Sequence, residues 1–121
     1  MAVFKNFEDI KAWQTAREVT KQIYLISSDE KFFRDFGLRD QIRRSAVSII
    51  ANIAEGNGRK TNKDFANFLV IAHGSAAETQ SHLYVALDLN YITQEQFTEI
   101  YGKLEETLRM TMALCIHLLK S

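Results

Sequence analysis

Residues 38–60 read LRDQIRRSAVSIIANIAEGNGRK, and this stretch decides the fold. Leu38, Ile42, Ser45, Ile49 and Ile53 recur at helical spacing, and Val47, Ile50 and Ala54 widen the same stripe. Three arginines, Arg39, Arg43 and Arg44, ride on the first turns. The run Asn52-Ile53-Ala54-Glu55-Gly56 follows. Gly56 and Gly58 then predict the end of a helix over residues 38–55, since glycine is the usual residue just past a helix C-terminus.

The neighbouring segments carry the same period. Phe7, Ile10, Trp13, Ala16, Thr20 and Ile23 predict a first helix over residues 8–27, with Glu8 and Asp9 near its start, where the helix dipole favours negative charge. Residues 28–37 break the period and hold Phe32, Phe33 and Phe36 among charges. Three aromatics in a loop are costly to leave in water, so they either pack under the bundle's end or form a subunit contact. Thr61 with Asp64 opens a third helix that Phe65, Phe68, Leu69, Ala72, Ala76, Thr79, Leu83, Ala86 and Leu87 carry to Leu89. Asn90 ends it, because asparagine tolerates the left-handed cap. Thr93 with Gln96 is a capping-box pattern for a fourth helix, whose stripe runs from Phe97 to Leu119. With no proline in the chain, none of these helices is forced to break. Short connections between long helices force antiparallel neighbours. The expected architecture is all-α, an antiparallel up-down-up-down four-helix bundle forming a single domain over residues 1–121.

Lysine plus arginine equals aspartate plus glutamate at 15 each, so the formal net charge is zero. A globally basic nucleic-acid binder is excluded, and any such site has to come from local asymmetry. The lone cysteine, Cys115, cannot close an internal disulfide and falls on the apolar stripe of the fourth helix, where packed core is the plainer reading than a reactive thiol. The start lacks a signal-peptide pattern and no window is apolar enough for a membrane span, so a cytoplasmic location without membrane partners is expected.

Chemistry-bearing residues are few. Ser75 and Glu78 lie one turn apart on the third helix, and Asn52 and Glu55 have the same spacing on the second. These four predict a polar network between the helices. Glu55 in particular calls for donors, because a helix C-terminus disfavours a carboxylate. Gly74 beside them would let another backbone come close. No glutamate is followed three residues later by histidine, and His73, Glu78 and His82 are too few for a metal, so neither metal nor cofactor is expected. Gly74-Ser75 lacks a nucleophile elbow, and residues 56–61 lack the spacing of a phosphate loop, although their amides and cations could hold an isolated phosphate. No enzymatic activity is expected. Arg39, Arg43, Arg44, Arg59, Lys60 and Lys63 remain as candidate phosphate contacts, since guanidinium binds phosphate bidentately. The plainer reading is a solvated face balanced by acids.

The chain resembles a bacterial four-helix-bundle family encoded in intervening sequences of 23S ribosomal RNA genes. The matching pieces include Gly37-Leu38 with Gln41-Ile42-Arg43-Arg44, then Asn52-Ile53-Ala54-Glu55-Gly56, Gly58-Arg59, and Ala72-His73-Gly74-Ser75 with Glu78. Ile50 stands where proline or a small residue is expected. The family is related to the accessory variability determinants of diversity-generating retroelements, which are basic pentamers that bind nucleic acid and a reverse transcriptase. The resemblance implies a homo-oligomeric ring, a pentamer by preference, with RNA or DNA and a reverse transcriptase or other protein as partners. It implies a nucleic-acid-binding role, the alternative being a protein-interaction scaffold that uses Phe32, Phe33 and Phe36.

Overall fold

The computed structural model describes residues 4–120. A 3-10 turn over Phe7–Asp9 leads into α1 (Lys11–Ile26), a short α2 (Glu30–Arg34), α3 (Phe36–Asn57), α4 (Asn62–Asp88) and α5 (Gln94–Lys120). No strand occurs among the described residues. The four long helices close a cycle of contacts: α3 against α4, α4 against α5, α5 against α1, and α1 against α3. Each sends its apolar stripe inward. Ile23, Ile42, Ile49, Ile53, Leu69, Leu83 and Leu104 are fully buried at the centre. Cys115 is buried among them, its thiol 3.7 Å from the Ala66 carbonyl.

Local chemistry sets the ends. Thr61 Oγ1 accepts from the Asp64 amide at 3.1 Å and opens α4. Thr93 and Gln96 form a reciprocal box: Thr93 Oγ1 accepts from the Gln96 amide at 3.1 Å, and Gln96 Oε1 accepts from the Thr93 amide at 2.9 Å. Asn90 takes φ 61°, so that Tyr91 N donates to Ala86 O and Asn90 N to Leu87 O, which satisfies the last carbonyls of α4.

Three boundaries differ from the sequence reading. The helix expected from Glu8 starts only at Lys11, because Phe7 turns in to meet Trp13 edge-on at 5.0 Å and Gln14 Nε2 donates to Glu8 O. Residues 28–37 are not simply a loop. They contain α2, and of their three aromatics only Phe32 is buried, while Phe33 and Phe36 stay exposed. The second long helix begins at Phe36, since Asp35 Oδ1 caps it by accepting from Leu38 N at 3.1 Å.

The glycines also change roles. Gly56 lies inside α3, not past its end. A Cβ there would sit 2.8 Å from Phe68 Cβ and 2.9 Å from Phe65 Cδ1, so Gly56 lets α4 come close to α3. Gly74, expected to mark a close approach, is exposed with nothing within 4 Å of where its Cβ would be. It faces away from α3, whereas its neighbour Ser75 faces toward it.

Candidate nucleic-acid interface

The six candidate cations fall into two groups at opposite ends of α3, about 20 Å apart at about 1.5 Å of rise per residue. Arg39, Arg43 and Arg44 lie on its first turns. Arg59 and Lys60 follow its last residue, and Lys63 opens α4.

At the first end, two of the three guanidiniums are committed to the chain itself. Arg43 Nε donates to Ser27 Oγ at 2.8 Å, and its Nη2 reaches Ser28 Oγ at 3.3 Å and the Tyr24 carbonyl at 3.5 Å. It thereby places a positive charge on the last turn of α1, where the dipole favours one. Arg39 does the same for α2, its Nη1 donating to Phe33 O at 3.2 Å while Nε pairs with Asp40 at 2.9 Å. Their flat faces are occupied too. Arg43 lies 4.5 Å from the Tyr24 ring centroid and 5.7 Å from Phe33, and Arg39 lies 4.4 Å from Phe33 and 4.8 Å from Phe36. Rings and guanidiniums thus alternate in a ladder: Tyr24, Arg43, Phe33, Arg39, Phe36. Each such contact contributes about 0.5–1 kcal/mol at a partly exposed site. Turning either arginine out to a phosphate would forfeit several interactions at once. Arg44, by contrast, is exposed and unpaired among the described residues.

At the far end the cations are open. Arg59, Lys60 and Lys63 are exposed, and none forms an ion pair among the described residues. Arg59 rests on the Phe68 ring at 4.8 Å, which fixes its position while leaving its N–H edge unused. The turn ends on the first amides of α4, one of which Thr61 already caps.

The expected network of Asn52, Glu55, Ser75 and Glu78 does not form as one unit. A hydroxyl seam joins α3 to α4 instead. Ser45 Oγ and Thr79 Oγ1 lie 2.8 Å apart, and Ser48 Oγ and Ser75 Oγ 2.9 Å apart. Asn52 Nδ2 donates to Ser48 O at 2.8 Å and to Ser48 Oγ at 3.0 Å, so it connects to Ser75 only through Ser48. Glu78 meets His82 of its own helix at 3.2 Å. Glu55 is exposed, with no side-chain partner among the described residues, because a hydrated carboxylate needs no donor from the protein. Sequence reasoning placed Ser45 and Thr79 in the apolar stripes and passed over Ser48 as a bonding partner. The signal was present in the spacing Ser45, Ser48, Asn52 facing Ser75, Thr79.

A second missed residue is Asp35. Besides capping α3, it accepts from the Tyr91 hydroxyl at 3.0 Å and ties the α2–α3 corner to the α4–α5 connection. The bond to Asp35, then burial, then the carboxylate's charge raise the Tyr91 pKa above its ordinary value. On the α4–α5 side Tyr84, Phe97 and Tyr101 form an aromatic cluster with ring centroids 4.9–5.6 Å apart. Tyr101 is likewise held above its ordinary pKa, first by hydrogen bonding with Tyr84, then by burial, then by the charges of Tyr84 and Glu105.

Among the described residues no group of three or more His, Cys, Asp or Glu side chains could hold a metal ion. No described helix is long and apolar enough to cross a membrane.

The family model for the 23S rRNA-intervening sequence protein matches residues 8–113. Among solved structures, a protein with unknown function from the S23 ribosomal protein family of Bacteroides thetaiotaomicron VPI-5482 is similar, with 30% sequence identity and a TM-score of 0.79. The match covers 86% of this chain and 97% of that one. No curated protein matches the chain.

Proposed function

The chain belongs to the 23S rRNA-intervening sequence protein family, and on that premise we propose that it is a non-enzymatic protein that self-assembles and binds the phosphate backbone of RNA or DNA. The observation that carries the reading is the α3–α4 turn. There Arg59, Lys60 and Lys63 stand exposed with no ion pair among the described residues, and Phe68 holds Arg59 in place. Three cations on one subunit bind weakly. A closed ring repeats the turn once per subunit, so assembly supplies the affinity that a chain of zero net charge lacks. The bundle is taken as up-down-up-down, since only residues 58–61 join α3 to α4 and only residues 89–93 join α4 to α5. The pentameric ring, the kinship with accessory variability determinants, a reverse transcriptase as partner and a cytoplasmic location belong to the same proposal.

The rival reading, a protein-interaction scaffold, is favoured by the exposed ladder of Tyr24, Phe33 and Phe36 with Arg39 and Arg43, the residue types that dominate interface hot spots. Salt titration separates the two. Binding of single-stranded RNA and of duplex DNA is measured against salt for the wild type and for a variant combining Arg59→Ala, Lys60→Ala and Lys63→Ala. The variant is expected to lose about two to three units of the log–log slope for each subunit that touches the nucleic acid, the value for three phosphate contacts. No binding at low salt, or an unchanged slope in the variant, sinks the nucleic-acid reading and leaves the scaffold.

A further inference from the structure

The chain's zero net charge conceals a polarised bundle. α1 and α3 carry three Lys or Arg each, against one and two carboxylates. α4 carries one cation and three carboxylates, and α5 three cations and four carboxylates. With histidines neutral, one half of the bundle is therefore +3 and the other −3. The cycle of helix contacts sets these halves on opposite faces, because α1 and α3 each pack on one member of the α4–α5 pair and on each other.

Both faces also expose large apolar groups. On the α1–α3 face these are Tyr24, Phe33, Phe36 and Val47. On the α4–α5 face Met112 and Ile116 line, with His73, Leu108, Arg109 and Ala113, a shallow groove of about 440 Å³, and Tyr84 and Tyr101 of the aromatic cluster meet edge-on at 5.6 Å. Glu105, one turn from Tyr101 on α5, and Asp88, one turn from Tyr84 on α4, flank that cluster and form no ion pair among the described residues. On the other face Arg17, which stacks on Trp13, and Lys21 are exposed and equally unpaired.

From this complementarity we infer that the basic α1–α3 face of one copy docks on the acidic, aromatic α4–α5 face of the next. The inference rests on the self-assembly reading and names its contact. A two-fold dimer would pair a patch with itself and bring like charges together. Joining two different faces head to tail relieves that repulsion, and this is the interface type that closes into a ring. It leaves the α3–α4 turn, residues 58–61, outside the apolar groups named on either face.

Charge swapping tests it. One variant carries Arg17→Glu and Lys21→Glu, a second carries Asp88→Lys and Glu105→Lys, and the mass of each in solution is measured beside that of a chain carrying all four changes. Each variant alone is expected to associate at least tenfold more weakly than wild type. A chain carrying all four changes is expected to reassemble, because both faces are then inverted and every junction again joins opposite charges whatever the number of subunits. Recovery of assembly in the four-change chain shows that the substitutions leave the fold intact. If the wild type assembles and neither variant weakens it, or the four-change chain fails to recover, the face assignment is overturned while self-assembly stands. A wild-type monomer overturns the self-assembly reading itself.

Discussion

The two ends of α3 carry the same kind of residues and use them oppositely. At its start Arg39 and Arg43 bond to the C-terminal carbonyls of α2 and α1, and their planes lie against Tyr24, Phe33 and Phe36. At its end Arg59, Lys60 and Lys63 have no acidic partner among the described residues, and the helix itself is seated closely on α4 by Gly56. A cation is available to a ligand only when the chain has not already used its donors. The difference between the ends lies in what the fold places beside each residue.

The largest expected effect strikes the closely packed end. Gly56→Ala sets a methyl against Phe68 Cβ, which no rotamer change can move, and is expected to destabilise by about 1–3 kcal/mol. A urea melt measures it, and an unchanged midpoint means that α3 and α4 can separate there at no cost.

Next comes Arg43→Ala, which removes the charge from the last turn of α1 and uncovers two rings. The expected loss is about 1 kcal/mol, whereas Lys60→Ala should stay within about 0.5 kcal/mol. Equal effects in the same melts would erase the distinction between the two ends.

Gly74→Ala gives the contrast to Gly56. It lies mid-helix with open space around it, and alanine is expected to stabilise by about 0.5–1 kcal/mol. A loss of stability would show that Gly74 serves a contact after all, with a second copy of the chain as the first suspect.

The smallest effect is alkaline. The Tyr91 hydroxyl donates to Asp35, so its folded pKa lies above its unfolded value near 10. Stability from this bond is fully present below the unfolded pKa and is lost as pH rises through the folded one. Asp35→Asn should flatten the alkaline limb of the stability curve above about pH 10, and an unchanged limb would mean the bond contributes nothing.

The residues most legible in the sequence act on near neighbours. Thr61, Asn90 and the Thr93–Gln96 pair make the caps their spacing implied, because a cap bonds within three or four residues. The apolar stripes that named the four long helices also line the core. What escaped depends on partners far along the chain. Asp35 meets Tyr91, Ser45 meets Thr79, Ser48 meets Ser75, and Arg43 meets Ser27. The expected network of Asn52, Glu55, Ser75 and Glu78 had the right helices and the wrong partners, since helical spacing shows which residues share a face and not which meets which across it.

By itself, then, the sequence determined an all-helical chain, the segments that form its long helices and the caps at Thr61, Asn90 and Thr93, because periodicity and capping are local. Tertiary structure alone decided which arginines are spent on the protein, which glycine admits a neighbouring helix, and that charges summing to zero divide between opposite faces. Each of those depends on the angle and height at which one helix meets another, and packing of the assembled core sets both.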